Sequence, residues 1–318
     1  MGAPHQGFKL REAEGAEIIS LADNYVNVLL SFQRGEVKGF REWAEKPFAP
    51  LMAEHGFSMF IRVFNDGKPH GVLLDTGSSP NGVLTNAKAM GIRLEEVECI
   101  VLSHGHYDHC GGLPAIAKAV GRSGLPVIVH EDMFKVRGVA SADGTVRELP
   151  PFPAEEEVRP ARYVRARQPY LAADDLILVT GEIPRRTSFE RGFPSHRALV
   201  DGRWQPDPWI WDDRAVVINV KRKGLVVVSG CAHAGIINTV LYAQQLAGTE
   251  AVYAILGGFH LEGREGEPRI GPTVEELRKV GPKLVAPSHC TGWRGVCAIA
   301  RALPEAFVPN SVGNLYVL

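Results

Sequence analysis

An α/β layered fold is predicted by three observations. Strand-like apolar runs alternate with helix-like stretches along most of the chain. A dense set of metal-capable side chains, His104, His106, Asp108 and His109, follows directly on the apolar run Cys99–Leu102. Three further histidines, His233, His260 and His289, each stand at or just past the end of another apolar run. Open α/β sheets gather their chemistry at the carboxyl ends of strands, so the fold class and the placement of these residues support each other.

The elements follow in order. Ala16 to Val28 is β-rich. Phe57 to Phe64 and Gly71 to Leu74 flank Asn65-Asp66-Gly67, a hairpin turn. Asn81 to Met90 reads as a helix stopped by Gly91, and Leu113 to Val120 as the helix after the metal-capable segment. Val127 to Val129 and Leu176 to Val179 are short strands, and Ala215 to Val220 pairs with Leu225 to Ser229 across a Lys221–Gly224 turn. The last third alternates helix Ile236–Ala247, strand Ala251–Leu256, helix Val274–Val280 and strand Leu284–Ala286. Residues 1–318 read as one domain without internal repeats. Three segments break the rhythm, 34–50, 133–170 and 185–213, rich in Pro, Arg, Glu or Trp. Long irregular segments of this kind are expected to be lids or loops near the site.

The 318 residues are 45% hydrophobic with a net charge of −1, so there is core enough for a large domain and no basic footprint for nucleic acid. Five scattered cysteines without a CxxC pair argue against a disulfide framework and for a reducing, cytoplasmic setting. Met1–Gln6 lacks the pattern of a secretory leader, and no apolar run approaches the ~20 residues of a membrane span. The expected partner is a small-molecule substrate, with neither nucleic acid nor membrane. The subunit number is not legible.

Imidazoles and a carboxylate within six residues can converge on a divalent cation. Of the other histidines, His5, His70, His130 and His196 read as structural or surface groups. Trp204, Trp209 and Trp211 read as anchors of a long loop in preference to stacking platforms. Cys231 and Cys290 read as packing cysteines in preference to soft metal donors.

His104-Gly105-His106-Tyr107-Asp108-His109 resembles the HxHxDH signature of the metallo-β-lactamase-fold superfamily. Leu74-Asp75-Thr76-Gly77 resembles its preceding strand and buried Asp turn, and Pro287-Ser288-His289 its C-terminal histidine ligand. The resemblance implies a four-layer αββα sandwich with lid insertions. It runs from about Ala16 to the C-terminus. Asp23-Asn24-Tyr25, Ala53–Phe57, Gly181–Arg185, Gly230–Ile236, Gly257–His260 and Ser288–Gly292 are similar to a narrower branch, the 7,8-dihydropterin-6-methyl-4-(β-D-ribofuranosyl)aminobenzene-5′-phosphate synthase-like proteins.

On that resemblance, His104, His106 and His233 hold one metal, and Asp108, His109 and His289 a second. Two divalent ions are implied, zinc first, with manganese or iron also compatible. Two departures stand out. Gly230-Cys231 occupies the place where superfamily hydrolases often carry a bridging Asp, and Gly181-Glu182 that of a usual third histidine. Glu182, Cys231 and His260 are therefore reserve ligands to His233. Catalytic roles are expected for Asp108, His260 and His55, and substrate contacts for Arg185, Arg186 and Glu182.

The expected function is a metal-dependent hydrolase using a metal-bound hydroxide on a phosphoester, most directly a phosphodiester. The alternatives are a pterin-diphosphate-dependent synthase, a lactone or carboxylic-ester hydrolase, and a non-catalytic metal-binding sensor.

Overall fold

A computed structural model describes residues 9–318; Met1–Gln6, His5 included, lies outside them. Two sheets form the centre. The first runs Arg162–Arg165, Pro126–Val129, Val97–Val101, Lys68–Leu74, Ser58–Asn65, Gly15–Ala22, Leu315–Val317 and Val37–Lys38 in spatial order. The second runs Tyr170–Ala172, Ile177–Val179, Ala215–Val220, Gly224–Ser229, Val252–Gly258 and Leu284–Ser288, with Glu12–Ala13 added parallel to Ala215–Val220.

Alternation of side chains along the strands builds the layers. Ile61, Val72 and Leu74 of the first sheet meet Ile218, Val226 and Val228 of the second in one buried core. Their neighbours Phe60 and Leu73 point the other way, onto helices Gly82–Met90 and Leu113–Val120. Leu225 and Val227 likewise face Ile236–Ala247, Ile270–Val280 and Gly292–Ala302. The order is helix, sheet, sheet, helix. Strands buried on both faces explain the near-continuous apolar runs of the sequence. Each large apolar side chain so buried contributes about 1.5–3 kcal/mol.

The hairpin forms as expected. Asn65 pairs with Lys68, and Asp66 and Gly67 both take positive φ, the pattern of a two-residue type I′ turn. Gly91 ends its helix in the left-handed conformation.

The three segments expected to be irregular carry regular structure, and this corrects the reading of their composition. Val37–Lys38 is an edge strand on Leu315–Val317. Arg162–Arg165 extends the first sheet, parallel to Pro126–Val129. Its arginines are exposed while Tyr163 between them is buried against Phe134 and Phe152, so an edge strand looks polar in composition. Arg137–Ala140, Val146–Glu148, His196–Val200 and Arg203–Pro206 form a separate four-stranded sheet. The helix Gly292–Ala302 and the strand Leu315–Val317 were not anticipated either.

One buried cation ties the strand ends together. The Arg214 guanidinium donates to the carbonyls of Leu102, Ile128 and Ala166, and the Arg214 amide to that of Ser103. No helix among the described residues is long and apolar enough to cross a membrane.

Candidate metal centre

The site lies where strands Lys68–Leu74 and Val97–Val101 of the first sheet and Gly224–Ser229, Val252–Gly258 and Leu284–Ser288 of the second release their chains. Each strand ends in a chemically loaded turn. Asp75 follows the first, in the left-handed region at φ 57°, and its carboxylate accepts from the Ser103 amide and hydroxyl, both at 2.6 Å. The loop 103–106 is thereby fixed to its neighbour. Gly230 makes the approach of the second sheet possible: a Cβ there would lie 2.1 Å from Ser103 Oγ.

The donors fall into adjoining groups. His104, His106 and His233 each present a ring nitrogen within 4.8 Å of the others. Asp108, His109, His289 and Cys231 bring a carboxylate oxygen, two ring nitrogens and a sulfur within the same distance of one another, and Cys231, His233 and His260 form a third set. His104 Nε2 and His106 Nδ1 are 3.0 Å apart, close to the ~3.3 Å between two nitrogens bound tetrahedrally at about 2.0–2.1 Å. His289 Nε2 lies 3.1 Å from Asp108 Oδ2, and His109 Nε2 3.1 Å from Cys231 Sγ. The first two groups touch, since the His104 and His109 rings are 4.2 Å apart.

Surrounding groups fix which nitrogen faces inward. Asp75 Oδ2 accepts from His109 Nδ1 at 2.7 Å, leaving Nε2 toward Cys231. Ser103 Oγ, having given its proton to Asp75, accepts from His104 Nδ1 at 3.0 Å. Asn24 Oδ1 accepts from His289 Nδ1 at 3.0 Å, and Asp23 holds the His289 amide at 2.9 Å. Such outer partners set tautomer and ring orientation. Asp212 accepts from the Gly105 amide at 2.8 Å and from Arg137 Nη1 at 2.8 Å, which docks the small sheet on the loop. Asp213 accepts from Ala234 at 2.9 Å and holds the turn bearing His233.

The residues fit a divalent cation. Both ring nitrogens of His233 are buried without a hydrogen-bond partner, and a cation could take one of them. Burial, reinforced by neighbouring imidazoles, pushes His104, His106 and His233 well below the usual imidazole range, so each is a neutral donor. Burial works against charge on Asp108, but His109 and His289 outweigh it and keep the carboxyl ionised far below its ordinary range. Burial also opposes charge on His109, and Asp75 and Asp108 overcome it, raising that pKa.

Residues 53–289 match the family described as the metallo-beta-lactamase superfamily. The chain belongs to that superfamily. It is 32% identical over 275 residues to a Methanocaldococcus jannaschii protein named 7,8-dihydropterin-6-methyl-4-(beta-D-ribofuranosyl)-aminobenzene-5′-phosphate synthase, covering 84% of this chain and 91% of the relative. A second protein of that organism, described as uncharacterized, is 30% identical over 272 residues, 84% of this chain and 95% of the relative. A solved structure described as a metal-dependent hydrolase of the beta-lactamase superfamily matches with a TM-score of 0.72 at 24% identity, over 95% of this chain and 98% of that one. That likeness speaks to the fold.

The remaining candidate side chains fall at differing distances from the donor groups. Cys231, a reserve ligand by sequence, has its Sγ within reach of the second group: it follows Gly230 at a strand end that opens on His109. Glu182 is outside the donor groups and accepts from His130 Nε2 at 3.1 Å and Arg167 Nη2 at 2.8 Å. Arg185 donates to the carbonyls of Ile183 and Trp209 and lies over the Trp211 ring, while Arg186 donates to Gln245. Both guanidinium groups thus have partners within the protein, although Arg185 Nε is buried without one. His260 stands 4.3 Å from the His233 ring, with its Nδ1 buried and unpartnered. His55 sits at the mouth, 60% exposed, its Nε2 3.6 Å from Asp108 Oδ2.

His196 is the residue that sequence reasoning missed. It comes from the small sheet, is buried, and stacks on His106 at 5.3 Å with an interplanar angle of 21°. No local motif marks it. The only hint is that its segment, 185–213, was expected to lie over the site.

Proposed function

We propose that this chain is a metal-dependent hydrolase of a small-molecule phosphoester, with a phosphodiester as the preferred substrate. The observation that carries the reading is the pair of touching donor groups, His104–His106–His233 and Asp108–His109–His289 with Cys231. Two divalent cations held there, zinc by donor chemistry, would supply Lewis acidity and a hydroxide nucleophile near neutral pH.

The chain's own residues then have separate tasks. Asp108, ionised and facing both His289 and His55, orients a hydrogen bond at the point of attack. His55, exposed at the mouth, donates a proton to the leaving oxygen. His260 offers an unpartnered Nδ1 to a substrate oxygen.

The test is a panel of bis-aryl phosphate, mono-aryl phosphate, lactone and aryl ester on metal-loaded protein. Phosphodiester turnover lost in His104→Ala and His289→Ala, with the fold retained, is expected. Turnover of esters or lactones alone would overturn the phosphoester reading. A folded chain that holds metal and turns over none of the four would remove the hydrolase reading.

A second reading is favoured by the relative named as a synthase, 32% identical along 91% of its length. There the same donor groups would bind a diphosphate leaving group while an arylamine is joined to a pterin. Diphosphate release that requires both pterin and amine would select this reading over hydrolysis.

A further inference from the structure

Cys231 and Cys290 lie just past the ends of strands Gly224–Ser229 and Leu284–Ser288, which flank strand Val252–Gly258 in the second sheet. The chain beyond each end brings the two cysteines together over Gly258. The Cys290 thiol donates to the Cys231 carbonyl at 3.6 Å. Gly258 leaves the space between them open, since a Cβ there would lie 2.7 Å from Cys290 Sγ and 3.3 Å from Cys231 Cα. Ala232 and His289, each next to one of the cysteines, take positive φ of 55° and 48°, so both sulfurs ride on tight turns. A disulfide asks its two Cα atoms to approach within about 7 Å, which such turns allow and strands separated by a third do not.

The two thiols differ in access and in duty. Cys231 is buried and presents Sγ 3.1 Å from His109 Nε2, within the second donor group. Cys290 is half-buried and stands outside the donor groups found among the described residues. An accessible thiol beside a buried one is the arrangement of a peroxide-reactive cysteine and its resolving partner.

We infer that Cys231 and Cys290 form a reversible disulfide on exposure to hydrogen peroxide, and that closing it withdraws Cys231 from the second donor group. The Cys290 sulfur takes one oxygen from the peroxide, giving a sulfenic acid and releasing one water. Cys231 Sγ then attacks that sulfur. The S–O bond breaks, the S–S bond forms, and the hydroxyl leaves with the Cys231 proton as a second water. The two thiols together give up two electrons, and the peroxide takes both. A dithiol reductant reverses the closure. The second group then keeps Asp108, His109 and His289 but loses its sulfur, so its hold on zinc loosens. The inference rests on the donor-group reading and not on which substrate is turned over.

Zinc-loaded protein treated with hydrogen peroxide, then alkylated, digested and mapped by mass spectrometry, tests this, with a chromophoric chelator reading released zinc. A peptide pair joined through Cys231 and Cys290 should appear, together with release of about one ion per chain. Dithiothreitol followed by fresh zinc should undo both. Cys290→Ser should form no crosslink and keep its zinc at the same dose, while Cys297→Ser should behave as the parent. Zinc release that persists in Cys290→Ser, a crosslink that forms with zinc retained, Cys290 joined to Cys297 instead, or oxidation that stops at the sulfinic acid would each overturn the inference. Zinc that never binds would remove the donor-group reading and this inference with it. Crosslinking and zinc release in a protein that turns over no phosphodiester would leave the redox pair standing and remove the hydrolase reading instead.

Discussion

Asp75 Oδ2 and His109 Nδ1 are 2.7 Å apart, both fully buried, and this contact sets the direction of the second donor group. Asp75→Asn keeps the shape but can present an N–H to His109, which would turn the imidazole proton toward the metal. Zinc affinity, measured by competition with a chromophoric chelator, should fall about 10–100-fold. An unchanged affinity would show that the tautomer of His109 is fixed by something else.

His233 and His196 both lie close to His106, but only His233 belongs to a donor group. His233→Ala should lower the content by about one metal ion per chain in elemental analysis, from the about two expected of a binuclear site. His196→Ala should leave the content unchanged. Equal losses in the two variants would place His196 among the ligands.

Cys231 Sγ lies 3.1 Å from His109 Nε2, where a thiolate could share in holding the second ion. Cobalt-loaded protein should show a near-ultraviolet thiolate-to-cobalt charge-transfer band that disappears in Cys231→Ser and persists in Cys290→Ser. Thiolate favours zinc over manganese, so Cys231→Asp should shift metal preference toward manganese. A parent protein without the band would leave the thiol a bystander.

Glu190 is buried beneath the start of helix Ile236–Ala247, accepting from the amides of Ile237 at 2.9 Å and Asn238 at 2.8 Å. Burial outweighs those bonds and pushes its carboxyl up to about 7 from 4.5. The folded state therefore holds the proton more tightly than the unfolded one. This contribution to stability is complete below pH ~4.5 and is lost as pH rises through about 7. Glu190→Gln cannot ionise, so in urea unfolding its stability relative to the parent should improve between those limits, on the order of 3 kcal/mol. A difference that stays flat with pH would show that Glu190 titrates normally.

Much of the fold was legible because strands buried on both faces leave continuous apolar runs. Ala215–Val220 and Gly224–Ser229 declare themselves in this way, and Gly91 marks its helix end. The edge strand Arg162–Arg165 did not, since solvent on one side lets arginines alternate with Tyr163 and erases the apolar signal. The small four-stranded sheet was hidden for the same reason.

The sequence by itself determined the loop of ligands. His104 to His109 are six consecutive positions on one turn, and their proximity is covalent. The tertiary structure decided what faces them. His233, His289 and Cys231 come from strands 120 or more residues away, and only sheet packing, with Gly230 closing on Ser103, brings them in. His196 arrives on a separate sheet, and Arg185 is drawn off to carbonyl groups. A side chain's partner across two sheets depends on register and layer order, which no local pattern of residues encodes.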